Sequence, residues 1–472
     1  MRRPRVAAVL ALLAATPAAR GNGRFPTGGY LVAAPGPAGD HVVVRSTFGL
    51  LSTHDGGRTW GWTCEDATSS SGMFDASIAI AVDGRVLATT PRGLVATTDG
   101  CAWTAPAGSP VSPLVDISQD ATRRHLVTAL GPTGTDDALL RSDDGGAHWT
   151  LAASLPGLYT QTVEVAPSDP QVVYVSGFLG DGTPVLLRSD DGGASVREIA
   201  RGDAFLGGTS AFISGVDPTD PAVLYVRAAD GLGTLLLRSG DHGATFTRLA
   251  RTTGVMAGFA LSDDGATVWI GSNDRSEGIL RSRAGEAFAR TGASLSVRCL
   301  RQLRGTLYVC ADQASDGFLV GCSLDGGDHV DPMLTAASLT GPPAECAPST
   351  PVASVCGPQW PAQRDALRAL DAGTLDAAAC FDGGATDAPG SDTGDATARD
   401  AAAMVADLGA QRDAVGSSDI ARSSGDAAFD AATPGAPVPP RSCGCAVPGG
   451  ASRGASAALL AVLLARRRRR VL

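Results

Sequence analysis

The sequence predicts an all-β fold in which one unit is repeated around a ring, and three observations carry that prediction. A ten-residue pattern, Arg141-Ser142-Asp143-Asp144-Gly145-Gly146-Ala147-His148-Trp149-Thr150, recurs along the chain. Successive copies lie 41 to 50 residues apart. Between them stand short runs of β-branched and apolar residues bounded by glycine and Asp-Pro turns, in a chain of 472 residues with 60 glycines and 29 prolines. A period in this range filled with short strands is the signature of propeller blades.

Residues 1–19 read as a secretory signal peptide. Arg2, Arg3 and Arg5 form a basic start, an apolar run extends from Val6 to Ala15, and Ala18 and Ala19 suit a signal peptidase. The apolar run is too short to span a membrane. The mature chain is therefore expected outside the cytoplasm, where disulfides persist. A net charge of −10 argues against a nucleic-acid partner, which needs a basic face.

The repeats occupy 24–345. Their aspartates are Asp55, Asp99, Asp144, Asp191, Asp241 and Asp325, and a seventh, worn copy at 282–288 has Ala284 in the same place. A carboxylate in such a turn accepts hydrogen bonds from loop N–H groups, glycine supplies left-handed backbone, and the closing aromatic tucks into the core. These aspartates are read as structural: one carboxylate in a backbone-rich turn is a poor calcium cage. No metal, cofactor or catalytic residue is assigned. Seven copies predict seven blades, with six or eight as alternatives if an end blade has degenerated.

The strand order within a blade can be read. Thr162–Ala166 is an inner strand, Val172–Ser176 the next and Val185–Ser189 the third, and the following repeat matches at Ile213–Val216, Val223–Val226 and Leu235–Ser239. Tyr174, Tyr225 and Tyr308 recur at one strand position, which makes them core residues rather than catalytic phenols. Arg141, Arg188, Arg238 and Arg281 each precede the first box residue, so repetition marks a structural position there too.

The box pattern resembles the Asp-box (bacterial neuraminidase) repeat, S/T-x-D-x-G-x-T-W, of sialidases, sortilin-type receptors, xyloglucan-degrading enzymes and photosystem assembly factors. The resemblance implies a fold and leaves activity open. A sialidase also needs an Arg-Ile-Pro-like start, a Tyr–Glu nucleophile pair, an acid/base Asp and three arginines. Arg24-Phe25-Pro26 matches the first loosely. Of the five tyrosines three belong to the repeat and Tyr30 lies in the first strand, which leaves Tyr159, and no Glu is arranged to serve it. A two-carboxylate glycosidase stays open, because carboxylate separation cannot be read from sequence.

Ten cysteines in an exported chain imply disulfides. Cys299 and Cys310 flank a hairpin and are expected to pair. Cys64 and Cys101 are expected to staple the first two blades, and Cys322, Cys346, Cys356 and Cys380 to close the last blade and pin the extension at 346–380. A short helix is expected at 361–372. From 381 to 441 the composition turns Ala-, Asp-, Gly-, Ser- and Thr-rich, which predicts a disordered stalk with at most a short helix near 401–408. Residues 442–472 hold Cys443, Cys445, an apolar run at 455–465 and five arginines at 466–470. This resembles the tripartite C-terminal sorting tail of myxobacterial surface proteins, which implies processing or attachment at Cys443 and Cys445; the alternative is a plain hydrophobic anchor.

These readings combine into an exported, disulfide-stapled, monomeric propeller held at the bacterial cell envelope or outer surface. Its expected role is non-catalytic recognition of a protein or glycan. The alternatives are an extracellular glycoside hydrolase, sialidase-like or polysaccharide-degrading, and an envelope assembly or scaffolding factor.

Overall fold

The structure is a computed structural model, and it describes residues 26–70, 74–131, 134 and 137–369. The signal peptide, Arg24 and Phe25, Cys380, the stalk, the 401–408 helix and the tail with Cys443 and Cys445 lie outside the described residues. Within them the fold is a seven-bladed β-propeller. Six sheets have four strands and one has three, each an antiparallel meander in chain order. Blade 4 shows the pattern: Leu158–Ala166, Asp169–Leu179, Pro184–Ser189 and Arg197–Arg201. The innermost strand of each blade packs beside that of the next, and blade 7 returns to blade 1. Blade 2 is the three-stranded one; after its third strand, Gly93–Thr97, only the bridge between Ala96 and Thr104 marks a fourth.

The core is divided among the blade interfaces. Tyr174, Tyr225 and Tyr308 are buried in second strands, and two of them reach forward one blade. The Tyr174 hydroxyl donates to the Pro221 carbonyl of blade 5 at 2.7 Å, and that of Tyr308 to Asp40 of blade 1 at 2.8 Å. Trp269 donates its Nε1 proton to the Gly326 carbonyl of blade 7 at 2.8 Å. Two of the arginines before the boxes act in the same direction, while Arg188 pairs with Asp190 in its own blade. Arg141 donates to the Gly192 carbonyl, and Arg281 to the Asp325 and Gly326 carbonyls, each in the next blade. They brace neighbouring turns and do not converge on one point.

All four strands of blade 1 come from the N-terminal end of the described chain and all four of blade 7 from 299–334. No blade is shared between the two ends; the seam is held by direct bonds such as Tyr308 and Arg304 to Asp40 and the Thr27–Asp312 bridge, and by the extension after 334. It crosses back to blade 1, where Trp62 N–H donates to the Gly341 carbonyl and the Thr340 hydroxyl to the Trp60 carbonyl. It then forms two helices, Pro351–Cys356 and Trp360–Arg368. Val352, Cys356 and Leu367 are fully buried against Trp62, and the Trp62 and Trp360 rings lie 5.3 Å apart.

Three described disulfides fix this arrangement. Cys299 pairs with Cys310 across its hairpin. The expected Cys64–Cys101 staple is not formed: Cys64 pairs with Cys356 and Cys101 with Cys346. Cys64 of blade 1 and Cys101 of blade 2 both follow the outer strands of their blades, where the returning extension comes within bonding range. Cys322 is disulfide-bonded as well. These bonds are those of an exported protein. No helix among the described residues is long and apolar enough to cross a membrane.

Loop length ranks the disulfides. With Cys101–Cys346 in place, Cys64–Cys356 closes a further loop of roughly 50 residues, worth about 4 kcal/mol on the chain-entropy account, against about 3 for the ~10-residue loop of Cys299–Cys310. Replacing Cys64 and Cys356 by Ser is therefore expected to lower the urea midpoint more than replacing Cys299 and Cys310. Equal losses in the two double variants would show that closure does not depend on the returning extension.

Candidate functional site

Every blade's third strand runs from a hairpin at one face of the ring to the box turn at the other, so the box aspartates lie on one face and the inner-strand starts on the opposite one. The box geometry is uniform. In blade 4, the Ser189 hydroxyl donates to Asp191 at 2.7 Å and accepts from Gly193 N–H at 2.8 Å, and Asp191 accepts from Ser195 N–H at 2.8 Å and its hydroxyl at 2.6 Å. Asp55, Asp241 and Asp325 repeat it with Thr59, Thr245 and His329. Asp144 does so with His148, and the Trp149 indole donates to the Gly146 carbonyl at 3.1 Å. Asp99, in the worn copy, accepts from Cys101 and Ala102 N–H groups. In the other worn copy Ser282 donates to the Glu286 carbonyl instead. The Ser195 hydroxyl, the Ser195 N–H and the Ser189 hydroxyl hold the Asp191 carboxyl at about 2. The boxes are separate turns, and no two of their aspartates share a partner.

The opposite face carries a depression of about 560 Å³ over blades 3 to 5, lined by Tyr159, Phe178, Phe212, Val115, Gln161 and Leu179. Tyr159 and Phe212 stand at the starts of their inner strands and are 41% and 39% exposed. Phe178 enters from the second strand of blade 4, just before the Gly180–Gly182 turn. Gly134 makes room for the Tyr159 ring: a Cβ there would come within 2.4 Å of it, and its φ of +72° suits glycine alone. The Phe212 ring has the Arg227 guanidinium 4.5 Å from its centroid.

Below the depression, two carboxylates occupy the same pair of inner strands. Asp116 follows Val115 in blade 3, and Glu164 lies three residues beyond Gln161 in blade 4. Asp116 accepts from the Ser77 hydroxyl at 2.7 Å and from Val163 N–H at 3.0 Å, joining blades 2, 3 and 4. Glu164 accepts from the Ser118 hydroxyl at 2.6 Å, which in turn accepts from Val165 N–H at 3.0 Å. Burial raises the Asp116 carboxyl to about 6 against the hydrogen bonds it accepts. Burial and the neighbouring Asp116 raise Glu164 to about 8. Tyr30, on the inner strand of blade 1, feels both: burial, then Asp116 and Glu164, push its phenol well above the usual range. Tyr30 nonetheless keeps 37% of its surface exposed, so the channel between the inner strands admits water. Burial and mutual repulsion thus favour a shared proton over two charges on this pair of carboxyls. No group of three or more metal-ligating side chains occurs among the described residues.

Tyr159, set apart in the sequence by its departure from the repeat, is thus on the depression, and no Glu hydrogen-bonds it. Phe178, Phe212, Asp116, Glu164 and Arg227 were not singled out by the sequence reading. Three of them carried a signal: a charge inside an apolar strand, as in Val115-Asp116-Ile117, Val163-Glu164-Val165 and Val226-Arg227-Ala228.

No protein-family model matches the chain. A xyloglucanase from Paenibacillus sp. is 26% identical over 234 residues, 48% of this chain, and the match spans only 19% of that enzyme's length. Among solved structures, a GH74 enzyme from Niastella koreensis aligns over 67% of this chain and 64% of its own, with 15% identity and a TM-score of 0.33. The YCF48 protein of Cyanidioschyzon merolae aligns over 66% and 87%, with 16% identity and a TM-score of 0.36.

Two outcomes are expected of this geometry. Ser189→Ala leaves the buried Gly193 N–H without an acceptor and should cost about 1–3 kcal/mol in denaturant titration; an unchanged midpoint would show that the hydroxyl does not hold the turn. Burial, with Asp116 beside it, raises the Glu164 carboxyl from its ordinary 4.5 to about 8, so the folded state holds its proton across that window. Stability from this group is full below about pH 4.5 and declines as pH rises towards 8. Glu164→Gln keeps the acceptor for Ser118 and should melt higher than the parent at pH 8.5, with the gap closing by pH 4; parallel curves would contradict the buried acid.

Proposed function

We propose that this protein acts on polysaccharide outside the cell, with the aromatic depression over blades 3 to 5 as its sugar-binding site. The observation that carries this is the convergence of Tyr159, Phe178 and Phe212 on one open hollow of about 560 Å³. Flat aromatic faces beside a few polar groups suit pyranose rings, whose C–H faces are apolar and whose edges are hydroxylated. The partial likeness to a xyloglucanase supports a glycan rather than a protein ligand, and makes xyloglucan the first probe. The chain spans about a fifth of that enzyme, so its activity is not carried over whole.

Hydrolysis is better supported than recognition alone. Besides that likeness, Asp116 and Glu164 stand on the inner strands that also supply Val115 and Gln161 to the depression, and their carboxyls are raised to about 6 and 8. A protonated carboxyl to donate to a leaving oxygen and an ionised one to act on the opposite side are what glycoside cleavage needs. In this reading Glu164 is the acid and Asp116 the base. The box aspartates hold turns on the far face. The C-terminal segment with Cys443 and Cys445 attaches the propeller to the envelope, and the propeller works as a monomer.

Binding and release of reducing ends from xyloglucan test this together. Tyr159→Ala, which removes an exposed ring, should weaken binding by roughly tenfold, the scale of one stacked aromatic. Release of reducing ends that disappears in Glu164→Gln supports the hydrolase. Binding without release returns the site to recognition, and absence of both for a panel of neutral and acidic glycans overturns the proposal.

A further inference from the structure

The most exposed ring of the depression, Tyr159, is backed by the connection between two strands of blade 3, Leu126–Leu130 and Ala138–Ser142. Asp137 closes that connection and is 1% exposed. Its carboxylate accepts from Gly134 N–H at 3.2 Å and from Thr160 N–H at 2.8 Å. One side chain therefore ties the connection to the residue that follows Tyr159, in the next blade. The ends of the connection are held as well: the Asp137 carbonyl accepts from Leu155 N–H at 2.7 Å, and Gly131 N–H donates to the Pro113 carbonyl at 3.4 Å.

The distances show where Gly134 meets the ring. A Cβ added there would lie 2.4 Å from Cζ, 2.5 Å from Cε2 and 2.9 Å from Cε1 of Tyr159, all nearer than the hydroxyl oxygen. Close approach to three ring carbons at once puts Gly134 over a face of the ring and not at its rim. Tyr159 lines the hollow and Gly134 does not, so the ring stands between them. Phe178 is the cross-strand partner of Tyr159, and the two rings project from one side of blade 4.

Building on the glycan reading, we propose that Gly134 and Asp137 are positioning residues, which back one face of Tyr159 and hold the other towards the hollow before a sugar arrives. A free surface tyrosine loses rotamer freedom when a ligand stacks on it, and a ring already fixed loses less. Glycine is needed because any side chain would occupy the place of the ring. A carboxylate is needed because both of its oxygens accept, so one residue takes both N–H groups. Sugar is thereby admitted to a single face of Tyr159.

The whole protein carrying 3-fluorotyrosine, followed by fluorine NMR and by titration calorimetry with a xyloglucan oligosaccharide, tests this. The Tyr159 resonance, identified by its loss in Tyr159→Phe, should lie away from its position in urea and should move in Gly134→Ala and in Asp137→Asn. Each variant should weaken binding by up to the roughly tenfold expected of Tyr159→Ala. Added to Tyr159→Ala, neither should weaken it further, because their effect passes through the ring. Equal losses with and without the Tyr159 ring overturn the proposal, as does an unmoved resonance in both variants. The comparison with urea needs no variant, and a Tyr159 resonance at the unfolded position in the parent also overturns it. Shifted resonances in a protein whose parent binds no xyloglucan keep the backing of the ring and overturn the glycan reading alone.

Discussion

Each blade presents the edge of its innermost strand to the central channel, and the backbone groups along that edge have no further strand to bond. The neighbouring blade satisfies them with side chains. Asp116 takes Val163 N–H, Ser118 takes Val165 N–H, Thr162 takes Ile213 N–H, and Thr234 takes Met256 N–H. Unpaired backbone donors at a sheet edge are both an energetic cost and an invitation to wrong pairing. Here the same bonds that remove the cost set the register of one blade on the next. The forward reach of Tyr174, Trp269 and Tyr308 does for the outer layers what these short side chains do at the channel.

This requirement also places carboxylates inside the ring. Asp116 bridges three blades, and burial together with the Asp116 charge raises Glu164 in the strand beside it. The depression differs in kind. Tyr159 and Phe212 are partly exposed, and with Phe178 they gather in one hollow rather than standing singly on the surface.

The fold was legible in the sequence because it is periodic: seven box copies announce seven turns, and the strands between them repeat in order. The tyrosines and arginines were read as structural on the same logic, and Tyr174, Tyr308, Arg141 and Arg281 make contacts from blade to blade. What repetition cannot announce is what happens once. The pairing of Cys64 with Cys356 joins residues 292 apart, and nothing local at either end distinguishes it from a bond to Cys101. Phe178 and Phe212 look like ordinary strand residues until the ring brings three blades' strand starts together. Arg227 was visible as a charge in an apolar strand, but its lack of a counter-ion is a property of the assembled interface.

The returning extension has a bearing on how the molecule comes to exist. Blade 1 leaves the export machinery first, yet its outer strand is covered only when residues beyond 340 arrive to lie on Trp62. Until then, six blades can form from contacts close in sequence while the seam between first and last stays open. Ring closure is therefore the slow, long-range event of folding, paid for by the loop it must tie. Oxidation of Cys64 with Cys356 and of Cys101 with Cys346 records its completion. The order matters: a premature bond between Cys64 and Cys101, the pair that emerges first, would leave their proper partners stranded, so faithful assembly in an oxidising compartment calls for disulfide exchange as well as disulfide formation.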